Sequence, residues 1–65
     1  MIVYKPENTM AANVWYYVLK VGAQYLLMGV NNLYGAERII RPYSTQSAAV
    51  FKALNLNRKT GAERG

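Results

Sequence analysis

The sequence predicts an α+β fold, in which an antiparallel sheet of three strands packs on one C-terminal helix. Residues 14–21 and 24–30 are rich in β-branched and aromatic side chains, which favour strands. Residues 36–41 predict a third strand, which we expect to end before Pro42 because proline cannot donate a ladder hydrogen bond. Residues 2–4 can add a fourth strand at the edge. The Ala-rich stretch after Ser44 and Thr45 predicts the helix.

The Gly22-Ala23 pair between the first two long strands predicts a two-residue hairpin turn of type II′. In that turn the first central residue has a positive φ, which glycine adopts without steric cost. A two-residue turn sets the pairing register of the whole hairpin. Leu19 then lies opposite Leu26, and Tyr16 lies opposite Gly29.

This register gives the predicted hairpin two unlike faces. The first is almost wholly apolar, and we expect the helix to cover it; it holds Trp15, Tyr17, Leu19, Val21, Leu26, Met28 and Val30. The second mixes aromatic, aliphatic and basic side chains; it holds Val14, Tyr16, Val18, Lys20, Tyr25, Leu27 and Gly29. We expect the second face to remain open and to be covered by something outside this chain.

The predicted helix begins at a cap formed by Ser44 or Thr45 and ends at Asn55, which tolerates the left-handed conformation of a C-terminal cap. Its apolar stripe contains Ala49, Val50, Ala53 and Leu54. We therefore expect a single ββ(β)α domain over residues 1–56. Residues 57–65 are polar, charged and bounded by glycine, which indicates a flexible basic tail.

The composition argues against catalysis and metal binding. The chain has no His, no Cys and no Asp, and its acidic residues are Glu7, Glu37 and Glu63. Nucleophilic triads and protein metal sites draw on the missing residue types. We expect a non-enzymatic protein with no catalytic, cofactor-binding or metal-binding residue, no cofactor and no small-molecule substrate.

Residues 12–30 approach the length of a membrane span and carry one charge, Lys20. That lysine would lie near the centre of the bilayer, at a cost of about 2.5–3.5 kcal/mol on insertion scales. Gly22 also falls where a turn fits better than a helix. We expect no membrane partner, no signal peptide and a cytoplasmic location, in the host cell if the chain is viral.

Six tyrosines, one tryptophan and a net charge of +5 indicate a binding surface. Tyrosine and tryptophan are enriched at interface hot spots, and basic residues attract acidic partners. The predicted partner-binding residues lie on the second hairpin face and the third strand: Tyr16, Lys20, Tyr25, Arg38 and Arg41.

The hairpin around VGAQY, followed by GAERIIRPYSTQSAAVFKAL, resembles the layout of small phage-encoded accessory proteins over residues 14–56. These include anti-CRISPR proteins, polymerase inhibitors and other host-takeover factors. The resemblance implies a stoichiometric inhibitor that docks on a host protein or nucleoprotein complex. It is one of layout, so no functional residue is carried over from it.

Two other functions fit the same residues. Basic side chains interleaved with aromatic ones are typical of single-stranded DNA or RNA binding. Open sheet edges and an apolar face also favour a homodimer with a structural or accessory role. Steep salt dependence would indicate nucleic acid, whereas a dimer would appear in light scattering.

Overall fold

The computed structural model describes residues 1–10 and 12–63. It contains one antiparallel sheet, in the order β1-β2-β3-β4, and one helix. The elements are β1 (Ile2–Tyr4), β2 (Val14–Val21), β3 (Gln24–Asn31), β4 (Ala36–Tyr43) and α1 (Gln46–Thr60). The predicted α+β fold is therefore confirmed, and residues 2–4 form the fourth strand. In the part of the chain described here, no helix is long and apolar enough to cross a membrane.

The β2–β3 hairpin has the predicted turn and the predicted register. Val21 pairs with Gln24, Leu19 with Leu26 and, farther from the turn, Tyr16 with Gly29. Gly22 has a φ of 58°, whereas Ala23 has no positive φ, as a type II′ turn requires. The hairpin therefore places the same side chains on each of its faces as the two-residue turn predicts.

Both outer strands contain irregularities that the sequence analysis did not predict. In β1 the pairing shifts between Ile2 and Tyr4. In β4, Ile39 pairs with Met28 and Arg41 with Leu27, so that Ile40 is the extra residue of a bulge. The strand also continues past the predicted end at Arg41, because β4 is an edge strand and can contain a proline.

The helix packs on the hairpin face that we expected to be open. The buried core consists of Val18 and Leu27 from the sheet with Ala49 and Ala53 from α1. The prediction that α1 covers the face of Trp15, Leu19 and Met28 is therefore wrong.

The outer strands extend the apolar surface beneath the helix. Val3, Tyr4 and Tyr43 all pack against the core beneath the helix, so β1 and β4 enlarge the apolar surface on that side. The helix contributes small side chains at Ala49 and Ala53, which let it lie close to the sheet. The composition of the two hairpin faces alone does not include these additions.

The helix begins as predicted and ends later than predicted. Thr45 is the N-cap, and its Oγ1 accepts a hydrogen bond of 3.3 Å from the Ala48 N–H. Residues 57–60, which we assigned to the tail, form the last turn of the helix, and Gly61 is the left-handed cap with a φ of 91°. The predicted end at Asn55 is wrong, because Asn57 is buried against the sheet. Residues 64 and 65 of the predicted tail lie outside the described residues.

Candidate docking surface

The sheet face that points away from α1 is largely apolar, and we call it the open face. Its members follow from the strand pairing and the alternation of side chains along each strand. The apolar members of the open face are Ile2, Trp15, Tyr17, Leu19, Val21, Leu26, Met28, Val30, Ile39 and Pro42. No described element of this chain packs over it, since α1 lies on the opposite side.

Exposure on the open face is greatest toward its edges. Ile2 and Val21 are more than half exposed, and Ile39 is 58% exposed. Leu26 and Met28, nearer the centre, are half-buried by their neighbours, and Tyr17 is buried at 9% exposure. Contiguous apolar surface of this kind on a small protein marks an interaction site more often than scattered single residues do.

Within residues 1–10 and 12–63, the open face carries one positive and one negative side chain, near opposite edges. Lys5 places its Nζ 5.9 Å from the centroid of the Trp15 ring. Glu37 accepts a hydrogen bond from the hydroxyl of Tyr17. Glu37 on β4 pairs with Val30 on β3, which in turn pairs with Trp15 on β2. Because Lys5 lies over Trp15, Lys5 and Glu37 lie at the same height along the strand direction.

A network of hydrogen bonds holds Trp15 at one end of the open face. Its Nε1 donates to Oδ1 of Asn32 over 3.2 Å. The Nδ2 of Asn32 donates in turn to the carbonyls of Thr9 and Ala12, over 2.7 and 2.8 Å. The Trp15 and Tyr17 rings lie 5.6 Å apart and tilted by 40°. These contacts order the aromatic side chains before any partner binds, which lowers the entropic cost of binding.

Three of the predicted partner-binding residues lie together on the helix-bearing side. Lys20 pairs with Tyr25, and its Nζ lies 5.7 Å from the Tyr25 ring centroid. Arg41 lies 5.1 Å from the ring of Tyr43, which pairs with Tyr25 across β3 and β4. We call Lys20, Tyr25, Arg41 and Tyr43 the basic–tyrosine cluster. It lies at the end of the sheet from which the chain enters α1.

The other two predicted residues lie closer to the opposite end of the sheet. Tyr16 and Arg38 are the two neighbours of Gly29 across the strands. Tyr16 is half-buried and packs against the core, with its ring 3.4 Å from where a Cβ on Gly29 would lie. Arg38 is exposed. The buried Val18–Leu27 pair separates this row from Lys20 and Tyr25, so the structure does not bring the five predicted residues into one surface.

Asn57 is a buried polar side chain whose structural role the sequence did not predict. It is fully buried, and its carboxamide hydrogen-bonds to the backbone of Tyr16 and to the hydroxyl of Tyr4. Its signal was present in the sequence, because Ala49, Ala53 and Asn57 are spaced by four residues and so share one side of a helix. An asparagine in such a row indicates a buried hydrogen-bonding group.

Tyr4 connects the end of α1 to the sheet through its hydroxyl. Burial raises the pKa of Tyr4 above its ordinary value of 10.0. The hydrogen bond from Asn57 acts in the opposite direction, because it stabilises the phenolate. Tyr4 also donates to Oε2 of Glu63 over 2.9 Å, and this raises its pKa because the donated proton is held by the carboxylate.

Residues 1–10 and 12–63 contain no group of three or more acidic, His or Cys side chains placed to hold a metal ion. No family model, curated protein or solved structure matches this chain. Function is therefore inferred from the surfaces of this chain alone.

Proposed function

We propose that this protein is a non-enzymatic protein-binding module that docks through the open face. The observation that supports the proposal is the uncovered apolar side of the sheet, on which Ile39 is 58% exposed and Leu26 and Met28 are half-buried. Removing apolar surface from water contributes about 25 cal/mol per Å². A partner that covers this face would gain that contribution across all four strands.

The outer edge of β4 is a poorer docking site than the open face. An edge strand can pair with another chain through its free backbone groups. Here the bulge at Ile40 distorts the edge, and Pro42 removes a donor from it. Arg38 and Arg41 add like charges along the same strand. Natural proteins use these features to prevent edge pairing, so the face is the better candidate.

The outer side of α1 offers a smaller apolar patch. It contains Phe51, which is 69% exposed, with Val50 and Leu54 beside it. Gln46 and Ser47 border the patch and make it more polar. Phe51 therefore provides a matched control: it is a large exposed apolar residue on the opposite side of the molecule from Ile39.

A finer role as a phage-type inhibitor of a host machine is compatible with such a module. It is supported by the layout of residues 14–56 and by the non-enzymatic composition. The surface proposed for it changes, from the tyrosine-rich side of the sheet to the open face, because Tyr16 and Tyr25 pack against the core under α1.

The proposal can be tested by labelling single cysteines, since the chain has none of its own. Ile39→Cys reports on the open face and Phe51→Cys reports on the outer side of the helix. Each variant is treated with a maleimide, first as dilute purified protein and then in concentrated cell extract. We expect extract to protect Ile39→Cys and to leave Phe51→Cys reactive. Equal labelling of both variants under both conditions would contradict the proposal.

A second candidate function is single-stranded nucleic-acid binding through the basic–tyrosine cluster. The specific observation in its favour is the pair of cation–π contacts, Lys20 with Tyr25 and Arg41 with Tyr43, on adjacent strands. Basic groups beside aromatic rings contact both the phosphates and the bases of a single strand.

Fluorescence anisotropy with a labelled single-stranded oligonucleotide tests this second candidate. For single strands, each phosphate contact makes the plot of log association constant against log salt concentration steeper by about 0.7. If Lys20 and Arg41 each contact a phosphate, Lys20→Ala/Arg41→Ala should reduce the slope by about 1.4. The matched control is Lys52→Ala/Lys59→Ala, which removes the same charge from the helix. Equal slopes for the two double variants would contradict a role for the cluster.

A further inference from the structure

We propose that the partner of the open face is a second copy of this chain, packed face to face to give a helix–sheet–sheet–helix dimer. This inference rests on the proposed function, because it assigns a partner to the same surface. Two sheets that pack in this way lie about 10 Å apart, with their strands within about 30° of each other. The two α1 helices would then cover the outer sides of the dimer.

Charge is the first argument for a second copy. The chain carries a net charge of +5, yet among the residues that the structure describes the open face holds one cation and one anion, Lys5 and Glu37. The basic–tyrosine cluster and Arg38 lie on the helix-bearing side. A strongly acidic partner would find little to attract it on the open face. The open face of a second copy, by contrast, is also apolar and has no net charge, so the two faces match in polarity.

The positions of Lys5 and Glu37 make the open face self-complementary. Across the sheet, one row runs from Lys5 over Trp15 to Val30 and Glu37. Two facing sheets can be related by a two-fold axis that runs parallel to the strands, midway between the sheets. This rotation reverses the order of the strands across the partner sheet. It leaves each residue at the same height along the strand direction. It therefore brings Lys5 of one protomer opposite Glu37 of the partner subunit, and Glu37 opposite Lys5 of the partner subunit.

The apolar rows match under the same operation. The row of Ile2, Leu19, Leu26 and Pro42 faces its own copy in reverse order, and the row of Tyr17, Met28 and Ile39 does likewise. An isologous interface of this kind needs each patch to fit itself. Because the cations of the helix-bearing side lie away from the contact, the positive charges of the two protomers stay well separated.

The size of the face places the dimer at the lower end of stable interfaces. Three strands of eight residues and one of three, spaced by about 4.8 Å and rising by about 3.3 Å per residue, cover a flat footprint of roughly 430 Å². A standard interface buries about 800 Å² of accessible surface per partner. A rough apolar face exceeds its flat footprint in accessible area, so we expect a dimer that dissociates on dilution.

Sedimentation velocity over a wide range of protein concentration tests the proposal. We expect the wild type to shift from monomer to dimer as concentration rises, Ile39→Lys to remain monomeric, and Phe51→Lys to behave as the wild type. Circular dichroism on the same samples shows whether each variant is folded. A folded wild type that stays monomeric at every concentration would overturn the dimer, as would a Phe51→Lys variant that dissociates as fully as Ile39→Lys.

Charge reversal tests the orientation of the two protomers. Lys5→Glu and Glu37→Lys should each weaken the dimer, because each places like charges opposite one another. The double variant Lys5→Glu/Glu37→Lys restores opposite charges and should recover dimerisation. A double variant as weak as the single ones would overturn the proposed two-fold arrangement.

The two proposals fail in different ways. If the wild type is monomeric while extract protects Ile39→Cys, the open face is a docking surface for another protein and the dimer is overturned. If Ile39→Cys remains reactive in extract and also in concentrated purified protein, both proposals are overturned together.

Discussion

The carboxamide of Asn57 takes the place of a neighbouring strand beside Tyr16. Its Oδ1 accepts a hydrogen bond of 2.8 Å from the Tyr16 N–H, and its Nδ2 donates one of 2.8 Å to the Tyr16 carbonyl. The last residue of β1 to pair with β2 is Tyr4, opposite Val18, so the short first strand does not reach Tyr16. A side chain of the helix thus completes the pairing of β2 and fastens the C-terminal turn of α1 to the sheet.

Replacing Asn57 should therefore cost more stability than its size suggests. Asn57→Ala leaves a part-buried N–H and a part-buried carbonyl of Tyr16 without their partner, at up to about 1–3 kcal/mol each. We expect the free energy of unfolding in urea to fall by about 2–4 kcal/mol. This is somewhat less than the sum of the two separate costs, because water can enter the space that the side chain leaves. Asn55→Ala, at a half-buried position of the same helix, should change it by about 0.5 kcal/mol or less. Equal losses in the two variants would contradict the strand-like role of Asn57.

Tyr4 should make stability depend on pH in the alkaline range. Its pKa is raised in the folded state, chiefly by burial, whereas an unfolded tyrosine titrates near 10.0. Just above pH 10 the Tyr4 hydroxyl is therefore still protonated in the folded state but ionised in the unfolded state. The stabilisation that Tyr4 gives the fold is complete below about pH 10. That contribution falls as the pH rises through the raised value.

Comparison of the wild type with Tyr4→Phe isolates this effect from the other alkaline titrations. We expect the difference in unfolding free energy to be about 1–2 kcal/mol at neutral pH and to shrink above pH 10. Tyr34→Phe is the control, since Tyr34 is 83% exposed. Its difference from the wild type should stay near zero throughout. A Tyr4→Phe difference that does not vary with pH would show that the Tyr4 proton is not held by the fold.

The hairpin turn should tolerate only residues that adopt a left-handed backbone at its first position. Gly22 has a φ of 58°, and nothing lies within 4 Å of where its Cβ would be, so the strain of a substitution is conformational rather than steric crowding. Gly22→Ala should lower the unfolding free energy by about 1–2 kcal/mol. Gly22→Asn should lose less, because asparagine enters this region more readily. The reverse order in thermal unfolding would contradict the assigned turn.

The parts of the fold that were predictable depend on local chemistry. Gly22 specified the turn, the turn specified the register, and Thr45 capped the helix as one of the two candidates. The bulge at Ile40 was not predictable, because nothing in AERIIR marks which residue lacks a partner. The end of α1 was placed too early because Asn55 resembles a cap, whereas Asn57 is held in the helix by contacts from β1 and β2.

The candidate surface could not be placed from the hairpin residues alone. The prediction that the face of Tyr16 and Tyr25 would remain open is wrong, because α1 packs over it. Those tyrosines pack on either side of the Val18–Leu27 pair beneath α1. The outer strands add apolar side chains to both faces. Val3, Tyr4 and Tyr43 lie beneath α1, whereas Ile2, Ile39 and Pro42 lie on the open face.

Leu26 and Leu27 test the face assignment most directly, because they are adjacent, identical and on opposite sides of the sheet. Leu27 is 1% exposed in the core, whereas Leu26 is half-buried on the open face. Urea unfolding of dilute protein, followed by circular dichroism, compares Leu26→Lys with Leu27→Lys. We expect Leu27→Lys to lose about 3 kcal/mol or more, or to be unfolded, and Leu26→Lys to stay folded. A folded Leu27→Lys beside an unfolded Leu26→Lys would show that α1 covers the other face and would contradict the open face itself.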